Sequence, residues 1–206
     1  NLSTEQIGGL DTAQIGSLTT LQVRWLPTAQ SPSLGTAELN ALTSAQFAAL
    51  STTQIKALST EQVAGLESDD LRAIGTAGIR VFASDQIAAL STDSIVALSS
   101  QQAAALTTAQ VTGLSTDQMA AFATDDLRAL GSAALRQLST DQISALDSAQ
   151  IGALTTAQVR SLGTEQIAAL STEDLNAFST SQFAAMTTTQ VRGFSTEQVA
   201  NLESED

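Results

Sequence analysis

The sequence predicts an all-α fold: a solenoid, or superhelical coil, of about 25 octapeptide repeats with one short helix in each. Three observations lead there. From Ser3 to Leu202 the chain divides into 25 consecutive octads without insertion or deletion, so one period governs the whole sequence. Every octad opens on a helix-start signal and closes on a large apolar residue. Eight residues advance a straight helix by about 80°, which would spiral the large residues around every side, so the helix has to break at each repeat.

The first octad, Ser3-Thr4-Glu5-Gln6-Ile7-Gly8-Gly9-Leu10, defines positions one to eight. Positions one to four are the helix start. Position two is Ser or Thr in all 25 octads and position four is Gln in 18, which gives Ser3-Thr4-Glu5-Gln6 the form of a capping box. Two registers fit. With position one as N-cap, Leu2 and Ile7 make the hydrophobic staple. With position two as N-cap, Gly35, Gly75, Gly131 and Gly163 become glycines that end the preceding helix. The second register is preferred, because position one also accepts Pro27, Ala83 and Ala123.

Position five is bulky and apolar in all octads but those of Ser31 and Ala103, and position eight is large and apolar throughout. These two are expected to face inward, while the small residues of position seven let neighbouring turns approach. Positions three and six vary most and are expected to face solvent. Within the octads, acidic residues occupy only positions one to four. All eight basic residues (Arg24, Lys56, Arg72, Arg80, Arg128, Arg136, Arg160 and Arg192) stand at position six. Both placements complement the helix dipole, at about 0.3–1 kcal/mol each. A helix this short is far below the roughly 12–15 residues at which isolated helices become marginal, so each must bury its apolar pair against other octads. A β-solenoid is the alternative; the alternating three- and five-residue spacing and helix-favouring segments such as Gln86-Ile87-Ala88-Ala89-Leu90 argue against it. The segment Asp69–Gly75 returns as Asp125–Gly131, seven octads later, as a duplication or as a superhelical period.

Composition narrows the function classes. The chain has no Cys, which excludes disulfides and thiolate metal sites, and no His, which removes the usual general base and the commonest metal ligand. A Ser-His-Asp arrangement is therefore excluded, and no enzymatic role is expected. A net charge of -13 repels nucleic acid and anionic membrane surfaces. No apolar run approaches a membrane span, so neither nucleic-acid binding nor membrane insertion is expected, and no cofactor. The chain is read as one repeat domain over 1–206, a piece of a longer array, because it begins inside a repeat without an initiator Met.

Two features invite a binding reading. The acidic pairs Asp69-Asp70, Asp125-Asp126 and Glu173-Asp174 suggest calcium, yet a calcium site needs six to eight oxygens and none of the loops resembles one. Dipole complementarity in the first turn, with Asp69–Arg72 or Asp125–Arg128 pairs, is the plainer reading. The one disturbed stretch, Leu21 to Leu34, holds both prolines and the only Trp. Trp25, with Arg24, Pro27 and Pro32, is the candidate partner-binding group. Alternatively Trp25 fills a gap left by Ser31.

The array seen in Leu58-Ser59-Thr60-Glu61-Gln62-Val63-Ala64-Gly65-Leu66 and in Leu154-Thr155-Thr156-Ala157-Gln158-Val159 resembles octapeptide arrays of very large bacterial proteins described as surface, adhesion or haem-utilisation proteins. The resemblance covers essentially the whole chain. It implies a bacterial extracellular or cell-surface location. The haem description transfers poorly, since without His, Cys or Tyr only Met119 and Met186 offer an iron ligand, both at core positions. The expected function is a structural stalk or scaffold whose partners are neighbouring repeats of its own chain. The alternative is an adhesin module that binds a protein or a glycan.

Overall fold

The computed structural model of the chain describes residues 4–28 and 34–202. Among these residues the only regular structure is helix, in short segments such as Thr20–Arg24, Ser68–Ala73 and Thr156–Ser161. Each octad from the fifth to the twenty-fifth contributes one, as do the first three. Of the fourth, only Pro27, Thr28 and Leu34 are described, so Ser31 and Pro32 lie outside the described residues.

The N-cap register differs from the preferred expectation. The cap is position one, and position two is the first helical residue. Thr155, for example, is extended (φ -70°, ψ 156°) and its Oγ1 accepts from the backbone N–H of Gln158 at 3.2 Å. The Gln158 side chain answers by accepting from the Thr155 N–H at 2.8 Å. Gly35, Gly75, Gly131 and Gly163 are thus N-caps, with φ between -65° and -74°, and no described glycine has positive φ. Position two holds Ser or Thr for a reason the cap does not supply. Position one tolerates Ala83 because the Gln86 side chain still accepts from its N–H.

Each helix ends without a left-handed residue. At Leu162 the backbone turns extended (φ -59°, ψ 144°), its N–H donating to Val159 O at 3.2 Å as the last turn tightens. The chain then enters the next cap. Positions five and eight face inward through most of the chain: Val159, Leu162, Ile167, Leu170 and Leu175 are all buried, each burial contributing about 1.5–3 kcal/mol. Val191 and Val199, at position five of the last two octads, depart from the expectation at 49% and 57% exposure. With one residue before the cap and one at the fourth helical position, they form the staple that sets the corner. Positions three and six lie largely on the outside.

Two compact units divide the chain, Asn1–Ala105 and Leu106–Asp206. The same winding operates inside each. In the first unit, Thr20–Arg24 packs on Ser44–Ala49, which packs on Ser68–Ala73, each three octads after the last. In the second, Ser148–Gly152 packs on Thr172–Asn176 and Thr156–Ser161 on Thr180–Ala185, again three octads apart. Side-chain hydrogen bonds join octads four apart, as described next. A turn of the coil therefore takes between three and four octads.

Candidate functional site

The most constrained polar group in the molecule is the glutamine of position four. From the sixth octad on it is buried, with Gln54, Gln110, Gln158 and Gln190 at 1–2% exposure, whereas Gln6, Gln14 and Gln22 of the first three octads are exposed. Its Oε1 serves its own helix start, while its Nε2 reaches the helix end of the octad four repeats earlier. Gln158 Nε2 donates to Leu130 O, 28 residues before, at 3.0 Å, and to Leu127 O at 3.0 Å. Gln166 repeats this on Leu138 and Leu135, and Gln190 on Leu162 and Val159. In the first unit Gln54 bonds Leu26 O and Val23 O, and Gln102 bonds Ile74 O and Leu71 O. One side chain thus satisfies orphan N–H groups at one helix start and orphan carbonyls at another helix end. A carboxamide does both, since it carries acceptor and donors together, whereas an ionised carboxylate can only accept.

A second set of bonds runs the other way. Position-six side chains donate to the position-seven carbonyl three octads later: Asn40 Nδ2 to Gly65 O at 2.7 Å, Ser144 Oγ to Ala169 O at 3.1 Å and Asn176 Nδ2 to Asn201 O at 3.2 Å. Arg72 joins this set, its Nε donating to Ala97 O at 2.7 Å. That is a correction to the expected Asp69–Arg72 pair, for the carbonyl of the next turn lies within the reach of the guanidinium and holds it.

The acidic pairs divide in two. The first member, at position three, is exposed, whereas Asp70, Asp126 and Asp174 stand in the buried glutamine position at 5%, 5% and 8% exposure. No three acidic side chains gather as a metal site among the described residues. Asp174 is well served: Oδ2 accepts from Ser171 N and Oγ, and Oδ1 accepts from Ser148 Oγ at 3.0 Å. Asp70 is not. Its cap is Glu67, which makes no side-chain cap bond, and its Oδ2 is buried without a partner. Burial, then Glu67, then Asp69, push its carboxyl up from 3.8 to about 6.

Trp25 does not fill a gap in the core. It caps the end of Thr20–Arg24 and is 73% exposed, with Leu21 of the same helix face at 64%. Arg24 and Pro27 are exposed beside it, and Pro32 is outside the described residues. Of the two methionines, Met119 is fully buried. Two grooves recur at one register in the second unit. One, of about 460 Å³, is lined by Ser139, Thr140, Thr164 and Glu165; the other, of about 290 Å³, by Ser171, Thr172, Ser195 and Glu197. Each offers hydroxyls and one carboxylate, and the first also Arg136, but the Ser139, Ser171 and Ser195 hydroxyls are engaged in their own caps.

The role of position four between turns is what the sequence reading missed. A signal was present: a first helical turn favours acids, yet position four is Gln in 18 octads and Glu only at Glu38. An amide chosen over a carboxylate at such a site points to a required donor.

An octad-periodic, all-α solenoid closed by buried glutamines defines the class of protein. Its repeat is a known one. The ALTTAQ repeat matches at residues 32–67, 63–100, 119–156, 152–177 and 167–204, and the chain belongs to that family. The hexapeptide itself stands at Ala105–Gln110 and Ala153–Gln158. No curated protein matches the chain. Among the described residues no helix is long and apolar enough to cross a membrane.

Proposed function

We propose that this ALTTAQ-repeat chain is a structural domain, a stalk or scaffold of a large bacterial surface or secreted protein, with no catalytic role. The observation that carries the reading is the repetition of one bond set. Octad after octad, the strongest polar groups are directed at other octads: Gln142 at Leu114, Gln150 at Phe122, Gln182 at Leu154 and Gln198 at Leu170. Polar chemistry directed at other repeats of the same chain serves shape, and an array whose turns contact only adjoining turns can be lengthened turn by turn. The surface and secreted setting rests on the resemblance of the octad array to those of large bacterial surface proteins. The test is deletion of octads 18 to 21, residues 139–170, which form one full set of glutamine steps. The shortened chain is expected to stay helical by circular dichroism and to lose maximum dimension by small-angle scattering. Loss of helical signal on this in-register deletion contradicts the proposal.

A second reading, a module that holds a protein or a glycan, is favoured by one observation. Trp25 and Leu21 place two large apolar side chains together on an exposed helix face. Under this reading Trp25→Ala abolishes capture of a surface partner and leaves stability unchanged; an unaltered binding profile contradicts it.

A further inference from the structure

We propose that Asp70 is a proton-operated clasp: when protonated, its carboxyl hydroxyl donates to an oxygen of octad 5, as glutamine amides do elsewhere, and ionisation releases that hold. Asp70 occupies position four of octad 9, where Gln54, Gln62 and Gln102 of the same unit donate to carbonyls 28 or 31 residues earlier. The corresponding oxygens for Asp70 belong to Leu39, Asn40 and Leu42. A carboxylate has only lone pairs to offer them.

One orphan atom marks the place: Asp70 Oδ2 is buried with no hydrogen-bond partner. Asn40 Oδ1 of octad 5 is also unpaired, but so is Asn176 Oδ1 at the same octad position, so that orphan belongs to the position-six asparagines. One proton on Asp70 turns its own carboxyl into a donor, the missing half of the clasp. No cation is bonded to the buried oxygen of this carboxyl. On its own helix, Ser68–Ala73, the charged groups are Asp69, Arg72 and, at the cap, Glu67; Arg72 Nε is bonded to Ala97 O. The packed helix Ser44–Ala49 carries no titratable side chain, Thr92–Val96 carries Asp93, and Thr36–Asn40 carries Glu38. Every acid in this set favours the protonated form, and desolvation acts in the same direction, with the carboxyl raised to about 6.

Asp174 supplies the contrast within the same protein. At the same octad position it has the Ser171 cap and the Ser148 hydroxyl as donors to its two carboxyl oxygens. Ser44 stands 26 residues before Asp70, the spacing of Ser148 from Asp174, but no hydrogen bond joins Ser44 to Asp70.

Because the folded-state value lies above the unfolded one, the group's contribution is complete below pH 3.8 and is lost as pH rises through about 6. The experiment is a carbon-13 NMR titration of the Asp70 carboxyl in the full chain, with urea unfolding of the wild type, D70N and D174N from pH 4 to 7.5. Expected are an Asp70 midpoint near 6 and a wild-type unfolding constant that rises about 100-fold relative to D70N across this range. D70N holds a permanent amide donor and removes that dependence, while D174N leaves it in place. A midpoint at or below 4, as an ionised Asp70 that captures the Ser44 hydroxyl would give, overturns the proposal, and so does a D70N curve with the wild-type pH dependence.

Discussion

Replacing Gln158 by Glu removes the donor of one glutamine step and keeps nearly everything else. The side chain keeps its length, its methylenes and the oxygen that accepts from Thr155 N at 2.8 Å. What changes is the far end. An oxygen now faces Leu127 O, Arg128 O and Leu130 O, which Nε2 approaches at 3.0, 3.2 and 3.0 Å. At 2% exposure the ionised form is untenable there, so the residue folds protonated. Protonating a carboxyl of ordinary value about 4.3 at pH 7 costs roughly 1.36 kcal/mol for each pH unit, or about 3.7 kcal/mol. That sets the ceiling, and Q158E is expected to lose about 2–4 kcal/mol at pH 7. At pH 4 the carboxylic hydroxyl donates in place of the amide and the loss falls below about 1 kcal/mol. The sign follows from a raised folded-state value, with stability regained as pH falls. Urea unfolding at the two pH values, read by circular dichroism, measures both numbers. Equal stability of Q158E and wild type at pH 7, or a loss that does not change with pH, refutes the reasoning.

Two further outcomes follow from the packing between turns. A Cβ added at Gly152 would lie 2.7 Å from Ala177 O, so Gly152→Val is expected to cost about 1–3 kcal/mol by denaturation, and Gly152→Ser less, because a hydroxyl at position six can donate to the facing carbonyl as Ser144 does. Gly75 is an N-cap with nothing within 4 Å of an added Cβ, so Gly75→Ser should gain a few tenths of a kcal/mol in thermal unfolding by accepting from the Gly78 N–H.

The fold was legible in the sequence because its period is strict. A phase-locked apolar pair at positions five and eight leaves no continuous helix available, and the inward placement of Val159, Leu162, Ile167 and Leu170 followed from that alone. The cap register was not legible. Positions one and two are both rich in Ser and Thr, and the difference lies in which hydroxyl faces the third helical N–H, a matter of backbone angle at residues such as Thr155. Trp25 was equally open. A lone Trp beside prolines fits a core gap or a surface anchor, and only its 73% exposure decides for the surface. The number of octads in a turn could not be read either, because it is set by contacts between residues about 25–31 apart, such as Asn40 with Gly65 and Gln158 with Leu127. Nothing in a single octad encodes that distance. The choice of Gln over Glu at position four encodes only that a donor is needed somewhere.

The glutamine amide of one octad, meeting the helix end of the octad four repeats before it, is the bond that joins the turns. Proton NMR of the Gln158 side-chain amide in nitrogen-15-labelled chain tests this most directly. Two slowly exchanging amide protons with nuclear Overhauser contacts to Leu127 and Leu130 are expected. Rapid exchange with solvent, with contacts confined to Thr155 and its own octad, would contradict it.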